Sequence, residues 1–283
     1  MTRLRGEDLT LAYDERLVAE NLDVAIPDGS FTVIVGPNAC GKSTLLKALA
    51  RMLKPTSGTV LLDGAAISSY RSKEVARRLG LLPQTSIAPG GIAVEELVAR
   101  GRYPHQRLLR QWSEDDQRVV AESMRLTGVA DLADRPVDEL SGGQRQRVWL
   151  AMALAQQTPI LLLDEPTTFL DVAHQVEVLD LCADLHEDGA HTLVAVLHDL
   201  NQACRYATHL IAMKPGRGVV AQGDPSEIVT AELVEDVFGL RCRVIPDPET
   251  GTPLIVPLKR ERKERTAGTD GAAGSGAAEA GAA

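Results

Sequence analysis

A chain of 283 residues with 44% apolar and 24% charged side chains has a globular makeup and can bury a sizeable core, either as one large domain or as a core with an inserted subdomain. The net charge of −9 speaks against a general nucleic-acid binder, no apolar run approaches the ~20 residues a membrane helix needs, and residues 1–6 lack the apolar stretch of a secretory signal. Cys40, Cys182, Cys204 and Cys242 are scattered without a Cys-x-x-Cys pair, so neither a zinc site nor a disulfide framework is indicated, and a cytosolic protein reaching any membrane through a partner is expected.

In chain order, residues 9–11 and the alternating Leu22, Val24 and Ile26 predict strands of an opening antiparallel layer. Phe31-Thr32-Val33-Ile34-Val35 reads as a buried strand feeding the glycine-rich loop Gly36-Pro37-Asn38-Ala39-Cys40-Gly41-Lys42-Ser43-Thr44, with a helix beginning near Thr44. Val60-Leu61-Leu62 before Asp63-Gly64 is a hairpin-type signal, and residues 79–82 form another strand stopped by Pro83-Gln84. From about 89 to 159 helical periodicity replaces strand-like runs; Val148, Ala151, Met152 and Ala155 fall at i, i+3, i+4 and i+7, one face of a helix. Strands return at 160–163, 192–196 and 209–213, alternating with helical stretches such as 175–185. The fold class is therefore α/β: a nucleotide-binding core at 1–88 and 160–258, interrupted by a helical subdomain at about 89–159. Beyond Leu258 a basic run, Lys259-Arg260-Glu261-Arg262-Lys263, passes into Gly/Ala/Ser-rich low complexity, so 259–283 is expected to be a disordered tail.

The pattern G-x-x-x-x-G-K-[ST] suits a nucleoside triphosphate because successive N–H groups form a cationic nest and glycines permit close approach. Gly36, Pro37, Asn38, Ala39, Cys40 and Gly41 cradle the polyphosphate; Lys42 is expected to bridge the β- and γ-phosphates, Ser43 to ligate Mg²⁺ and Thr44 to reach the α-phosphate. Composition alone yields this pattern in on the order of one chain in a hundred of this length, so the other motifs must agree with it. The run Ile160-Leu161-Leu162-Leu163-Asp164-Glu165-Pro166 ends a buried strand in two carboxylates: Asp164 suits Mg²⁺, and Glu165 suits the general base that polarises the attacking water. His198 follows the apolar run 194–197 at a strand edge of the kind where α/β folds bind ligands, and is assigned a γ-phosphate contact. Gln84 can contact Mg²⁺ or the lytic water, although an ordinary polar loop residue looks the same. Tyr13 can stack on adenine or serve as an ordinary strand aromatic.

A second glycine-rich turn, Ser141-Gly142-Gly143-Gln144, follows Leu140. Ser141 is an N-cap candidate, and the helix N-terminus it opens favours an anion. The intervening helical segment keeps both turns of one chain from serving one ATP, so a head-to-tail partner is expected to bring this turn to the γ-phosphate held by the other copy. Cys40, close to a helix N-terminus, sits in a setting that lowers a thiol pKa, and a small residue at a variable position fits equally well.

With these residues in order, the chain resembles the ATP-binding-cassette ATPases over about 1–258, through the phosphate loop, Gln84, Ser141-Gly142-Gly143-Gln144, Asp164-Glu165, the Leu170-Asp171 turn and His198. The resemblance implies a RecA-like P-loop NTPase core with an antiparallel β layer, ATP and Mg²⁺ as ligands, Asp171 among the nucleotide-site residues, and a nucleotide-sandwich dimer, here a homodimer. It further implies a pair of integral-membrane permease subunits that dock near Gln84 and the helical subdomain, a substrate-binding lipoprotein as an indirect partner, and a peripheral location on the cytoplasmic face of the membrane. Pro37-Asn38-Ala39-Cys40-Gly41-Lys42, Gly101-Arg102-Tyr103-Pro104-His105-Gln106, Thr168-Phe169-Leu170-Asp171-Val172-Ala173-His174-Gln175 and Gly239-Leu240-Arg241-Cys242 look like the ferric-siderophore importer branch. Haem and cobalamin importers share some of these stretches, and Phe169 departs from the tryptophan common in that branch.

The expected function is ATP hydrolysis coupled to import of iron(III)–siderophore complexes. Cobalamin or haem import is the alternative. A DNA-maintenance ATPase would carry a long coiled coil or zinc hook in the insert, and neither pattern occurs between 89 and 159. A translation-factor type would need two cassettes.

Overall fold

The computed structural model describes residues 2–13, 16–85, 87–106, 112–168, 170–189 and 191–259. Phe169 and the expected disordered tail, apart from Lys259, lie outside the described residues. The first half runs β1 (Thr2–Tyr13), β2 (Arg16–Pro27), β3 (Phe31–Val35), α1 (Lys42–Leu49), β4 (Ser57–Leu62), β5 (Ala65–Ala66), α2 (Ser72–Ala76), β6 (Leu79–Leu82), α3 (Val94–Ala99), α4 (Glu114–Leu126) and α5 (Gly142–Ala155). The second half runs β7 (Ile160–Asp164), α6 (Val172–Glu187), β8 (Thr192–Val196), α7 (Leu200–Tyr206), β9 (His209–Lys214), β10 (Gly218–Gly223), α8 (Pro225–Ile228), α9 (Ala231–Phe238), β11 (Cys242–Pro246) and β12 (Pro253–Pro257).

The central sheet has six strands in the order β10-β9-β3-β8-β7-β6, parallel except for β10, which pairs antiparallel to β9. Every residue of β3, β7 and β8 is buried, which explains why each reads as a continuous apolar run. Ile34, Leu162, Val194 and Ile211 pack on one side with α1 and the antiparallel sheet β2-β1-β4-β5. Val33, Leu161, Leu163 and Ala195 pack on the other with the helices. Parallel strands place the segments that follow β3, β6, β7 and β8 at one edge of the sheet, and that edge holds the chemistry.

β1 is far longer than residues 9–11. Its register against β2 shifts four times, and Asp8 adopts a left-handed φ of 49°, so bulges break the alternation that would reveal the strand. The Asp63-Gly64 turn does form a hairpin; both residues have positive φ, 50° and 82°, as a two-residue turn between right-twisted strands demands.

Between β6 and β7 the described residues form α3, α4, α5 and short 3₁₀ turns, with an isolated bridge between Ala93 and Pro136. α5 corrects the one-face expectation. Val148, Ala151 and Ala155 are buried and Met152 is half-buried, but Trp149, Leu150, Ala153 and Leu154 are buried too, because α3 and α4 both pack on this helix. Among the described residues no helix is long and apolar enough to cross a membrane.

Candidate active site

The phosphate loop is built by burial and by left-handed backbone. Gly36 has φ 154°, and a Cβ there would lie 2.3 Å from the Met213 carbonyl oxygen, so the turn out of β3 excludes any side chain. Ala39 and Gly41, at φ 63° and 101°, continue the turn into α1 and leave the first N–H groups of the helix free of side-chain caps. Lys42 is buried at the start of α1, its Nζ donating to the carbonyls of Gly36 at 2.8 Å and Pro37 at 3.0 Å. The loop is thus closed over its own ammonium group, and Asn38 lies on the same turn.

Ser43 Oγ donates to Asp164 Oδ1 at 2.7 Å, while Thr44 is buried beside it. Asp164 Oδ2 is buried and has no hydrogen-bond partner among the described residues. Burial pushes the Asp164 carboxyl above the ordinary carboxylate range, against the opposing hydrogen bond from Ser43 and the positive charge of Lys47, with Glu165 adding repulsion. A hydroxyl and an orphaned carboxylate oxygen form a hard-oxygen donor set that fits Mg²⁺.

Glu165, the next residue, has φ 54°, a left-handed conformation uncommon for a side chain of this size. Its carboxylate meets partners different from those of Asp164. Glu165 Oε1 lies 2.7 Å from His198 Nε2, and Oε2 accepts from Gln84 Nε2 at 2.7 Å and from Thr168 Oγ1 at 3.1 Å. The three residues the sequence nominated separately, Gln84, Glu165 and His198, therefore form one cluster. Thr168 was missed; its signal was a hydroxyl three residues beyond the carboxylate. His198 sits two residues past the end of β8 and is exposed, whereas Glu165 is buried.

The second turn lies apart. Ser141 caps α5: its Oγ accepts from Gln144 N at 3.3 Å, and Gln144 Oε1 accepts from Ser141 N at 3.1 Å. Ser141 and Gly142 are exposed, and no hydrogen bond recorded among the described residues joins them to the phosphate loop. Gly143 packs against the next turn in the chain: a Cβ there would lie 3.1 Å from Leu170 Cδ2. Asp171 caps α6, accepting from His174 N at 2.9 Å with the His174 ring Nδ1 at 2.7 Å, and these contacts, the backbone one first, hold its carboxyl below the ordinary range. Tyr13 is exposed at the end of β1, opposite Arg16. That end of the hairpin adjoins the phosphate loop, because Val18 lies against Gly41.

Cys40 overturns its expectation. The thiol is 1% exposed, packed inward beside Gly36 and the β1–α1 core, and burial pushes its pKa up despite the nearby Lys42 charge. Proximity to a helix N-terminus loses to desolvation, so Cys40 belongs to the packing beneath the loop.

Residues 19–168 match the ABC transporter family profile. The chain belongs to the ABC transporter family. It is 61% identical over 260 residues to the ferric enterobactin transport ATP-binding protein FepC of Escherichia coli (strain K12), covering 92% of this chain and 96% of that protein. Among solved structures it is similar to a proposed metal-chelate type ABC transporter in an inward-facing conformation, with a TM-score of 0.78, 28% identity, and coverage of 92% of this chain and 99% of that one. It is also similar to the dimeric structure of MJ0796, a bacterial ABC transporter cassette, with a TM-score of 0.70, 28% identity, and coverage of 78% and 98%. The cassette is thus an ABC ATPase, with the mixed sheet, antiparallel layer and helices of that fold.

Proposed function

We propose that this cassette is the ATP-hydrolysing subunit of a bacterial importer of iron(III)–siderophore complexes. The observation that carries the cargo class is the 61% identity, along nearly the whole of both chains, to a ferric enterobactin transport ATP-binding protein. The Gln84–Glu165–His198 cluster at the strand edge supports the hydrolytic role.

The phosphate-loop amides and Lys42 hold the β- and γ-phosphates, Thr44 reaches the α-phosphate, and Tyr13 stacks on the adenine. Ser43, Asp164 and Gln84 would hold Mg²⁺, which when bound neutralises phosphate charge. Glu165 accepts a proton from the attacking water. Its Oε2 already meets Gln84 and Thr168 and its Oε1 meets His198, so the water takes the remaining acceptor position on Oε1. His198 reaches the γ-phosphate. The Ser141-Gly142-Gly143-Gln144 turn and Asp171 complete the site of a second copy, in a head-to-tail homodimer like the sandwich that the family resemblance implies.

In this reading residues 1–88 and 160–258 are the nucleotide-binding core and 89–159 the helical subdomain. Between them lies a cavity of about 650 Å³ lined by Met52, Val75, Leu81, Thr85, Trp149 and Met152, with Met52 and Ile87 strongly exposed at its rim. It is suited to an apolar helix of an integral-membrane permease, which would hold the cassette at the cytoplasmic face of the membrane, with a substrate-binding lipoprotein beyond and no nucleic acid involved. A deletion strain grown under iron limitation tests the whole reading. Uptake of radiolabelled ferric siderophore is expected to be lost and restored by the wild-type chain but not by Glu165→Gln; unchanged uptake after deletion, or restoration by the variant, would refute it.

A further inference from the structure

A second set of hydrogen bonds runs behind the cluster, and the chemistry above does not use it. α7 starts just after His198, capped by Asp199, whose Oδ1 accepts from Asn201 N at 2.8 Å and Gln202 N at 3.0 Å. Gln202, in the first turn of α7, donates its Nε2 to Gln175 Oε1 at 3.1 Å. Gln175, in the first turn of α6, donates its own Nε2 to the Leu170 carbonyl at 3.0 Å. Leu170 in turn buries its side chain against Gly143, at the start of α5. Asn201 holds the other side of α7, accepting from Ile255 N at 2.7 Å and donating to the Ile255 carbonyl at 3.4 Å. α7 is therefore fixed to one residue of β12, Ile255, by two hydrogen bonds, and to one amide that leads to the Leu170-Asp171 turn.

Both glutamines are half-buried, and Gln175 spends one donor and its acceptor in opposite directions. An amide used this way transmits position: if α7 moves, Gln175 either follows or loses a partner. The relay has His198 at one end, which touches the Glu165 carboxylate, and at the other the Leu170-Asp171 turn with the Ser141-Gly142-Gly143 turn packed on it through Gly143. We propose that Gln175 and Gln202 are positioning residues that make the His198 loop and these two turns move as one unit, so that a change at one nucleotide is felt at the surface serving the partner's nucleotide. This rests on the dimer reading given under Proposed function.

The test is steady-state ATP hydrolysis by the full-length chain with Mg²⁺, comparing wild type, Gln175→Met, Gln202→Met, the double variant, Gln202→Lys, and Glu165→Gln as reference. Each single Met variant is expected to lower kcat about tenfold with KM for ATP and melting temperature unchanged, and the double variant to be no slower than either single. Gln202→Lys, which keeps a donor toward Gln175 Oε1, is expected to recover most of the lost turnover. Losses that multiply in the double variant, a defect in KM alone, loss of thermal stability in step with turnover, or wild-type turnover in both singles would overturn the relay. Wild-type turnover by Glu165→Gln would instead overturn the assignment of the hydrolytic site, and the relay with it.

Discussion

The two glycine-rich turns of this chain both open helices but are built oppositely. The phosphate loop is set into the core, with Cys40, Lys42 and Thr44 buried and the ammonium of Lys42 tied to Gly36 and Pro37. The Ser141 turn is exposed and capped by its own Gln144. A turn fixed by its surroundings can grip a polyphosphate unaided. A turn on the surface offers a helix N-terminus without a surrounding wall, and in the proposed dimer a second molecule supplies that wall.

The largest effect should come from breaking the buried turn. Lys42→Ala removes a charge-assisted contact, and roughly 10- to 100-fold weaker ATP binding is expected by calorimetry. Ser141→Arg should leave ATP binding by the isolated chain nearly unchanged, yet suppress turnover when mixed in equal amounts with wild type. Equal damage to single-chain binding by both substitutions would erase the contrast between the turns.

Arg102 and Asp116 sharpen the comparison from the helical side. Arg102 is 3% exposed; its Nε donates to Asp116 at 2.8 Å and its Nη1 to the Ala155 carbonyl, at the C-terminal end of the helix that Ser141 begins. Burial raises the Asp116 carboxyl, but the hydrogen bonds from Arg102 and Ser113 outweigh it and leave it below the ordinary range. Arg102→Met strands that carboxylate and should destabilise the fold by about 3 kcal/mol in urea titrations. Because the folded-state pKa is depressed, this stabilisation is present above the ordinary carboxylate pKa and lost as pH falls through the depressed value. The gap between wild type and variant should therefore narrow in acid.

Asp164 has the opposite sign. Its folded-state pKa is raised, so the folded chain binds the proton more tightly and the ionised carboxylate costs stability at neutral pH, a cost that disappears as pH falls below the raised value. Asp164→Asn should raise the melting temperature of the nucleotide-free chain by about 2–4 °C while weakening binding of ATP with Mg²⁺. A lower melting temperature would show that the buried charge is already compensated.

How much of this the sequence discloses depends on which force governs each element. β3, β7 and β8 are legible because burial on both faces leaves uninterrupted apolar runs. β1 is mostly hidden by its bulges, and the β11–β12 hairpin by the prolines at its ends. The site residues could be named singly because their chemistry is local. Their convergence on Glu165 could not, since it follows from a left-handed residue and from strand order. Cys40 was misread because a local rule about helix ends was outweighed by packing that only the fold supplies.

The central claim, that each nucleotide is enclosed by two chains, is most directly tested by sedimentation of Glu165→Gln in saturating ATP with Mg²⁺. A dimer that reverts to monomer when Ser141→Arg is added to the same chain is the expected result. A monomer in saturating nucleotide, or a dimer indifferent to Ser141→Arg, would contradict the account.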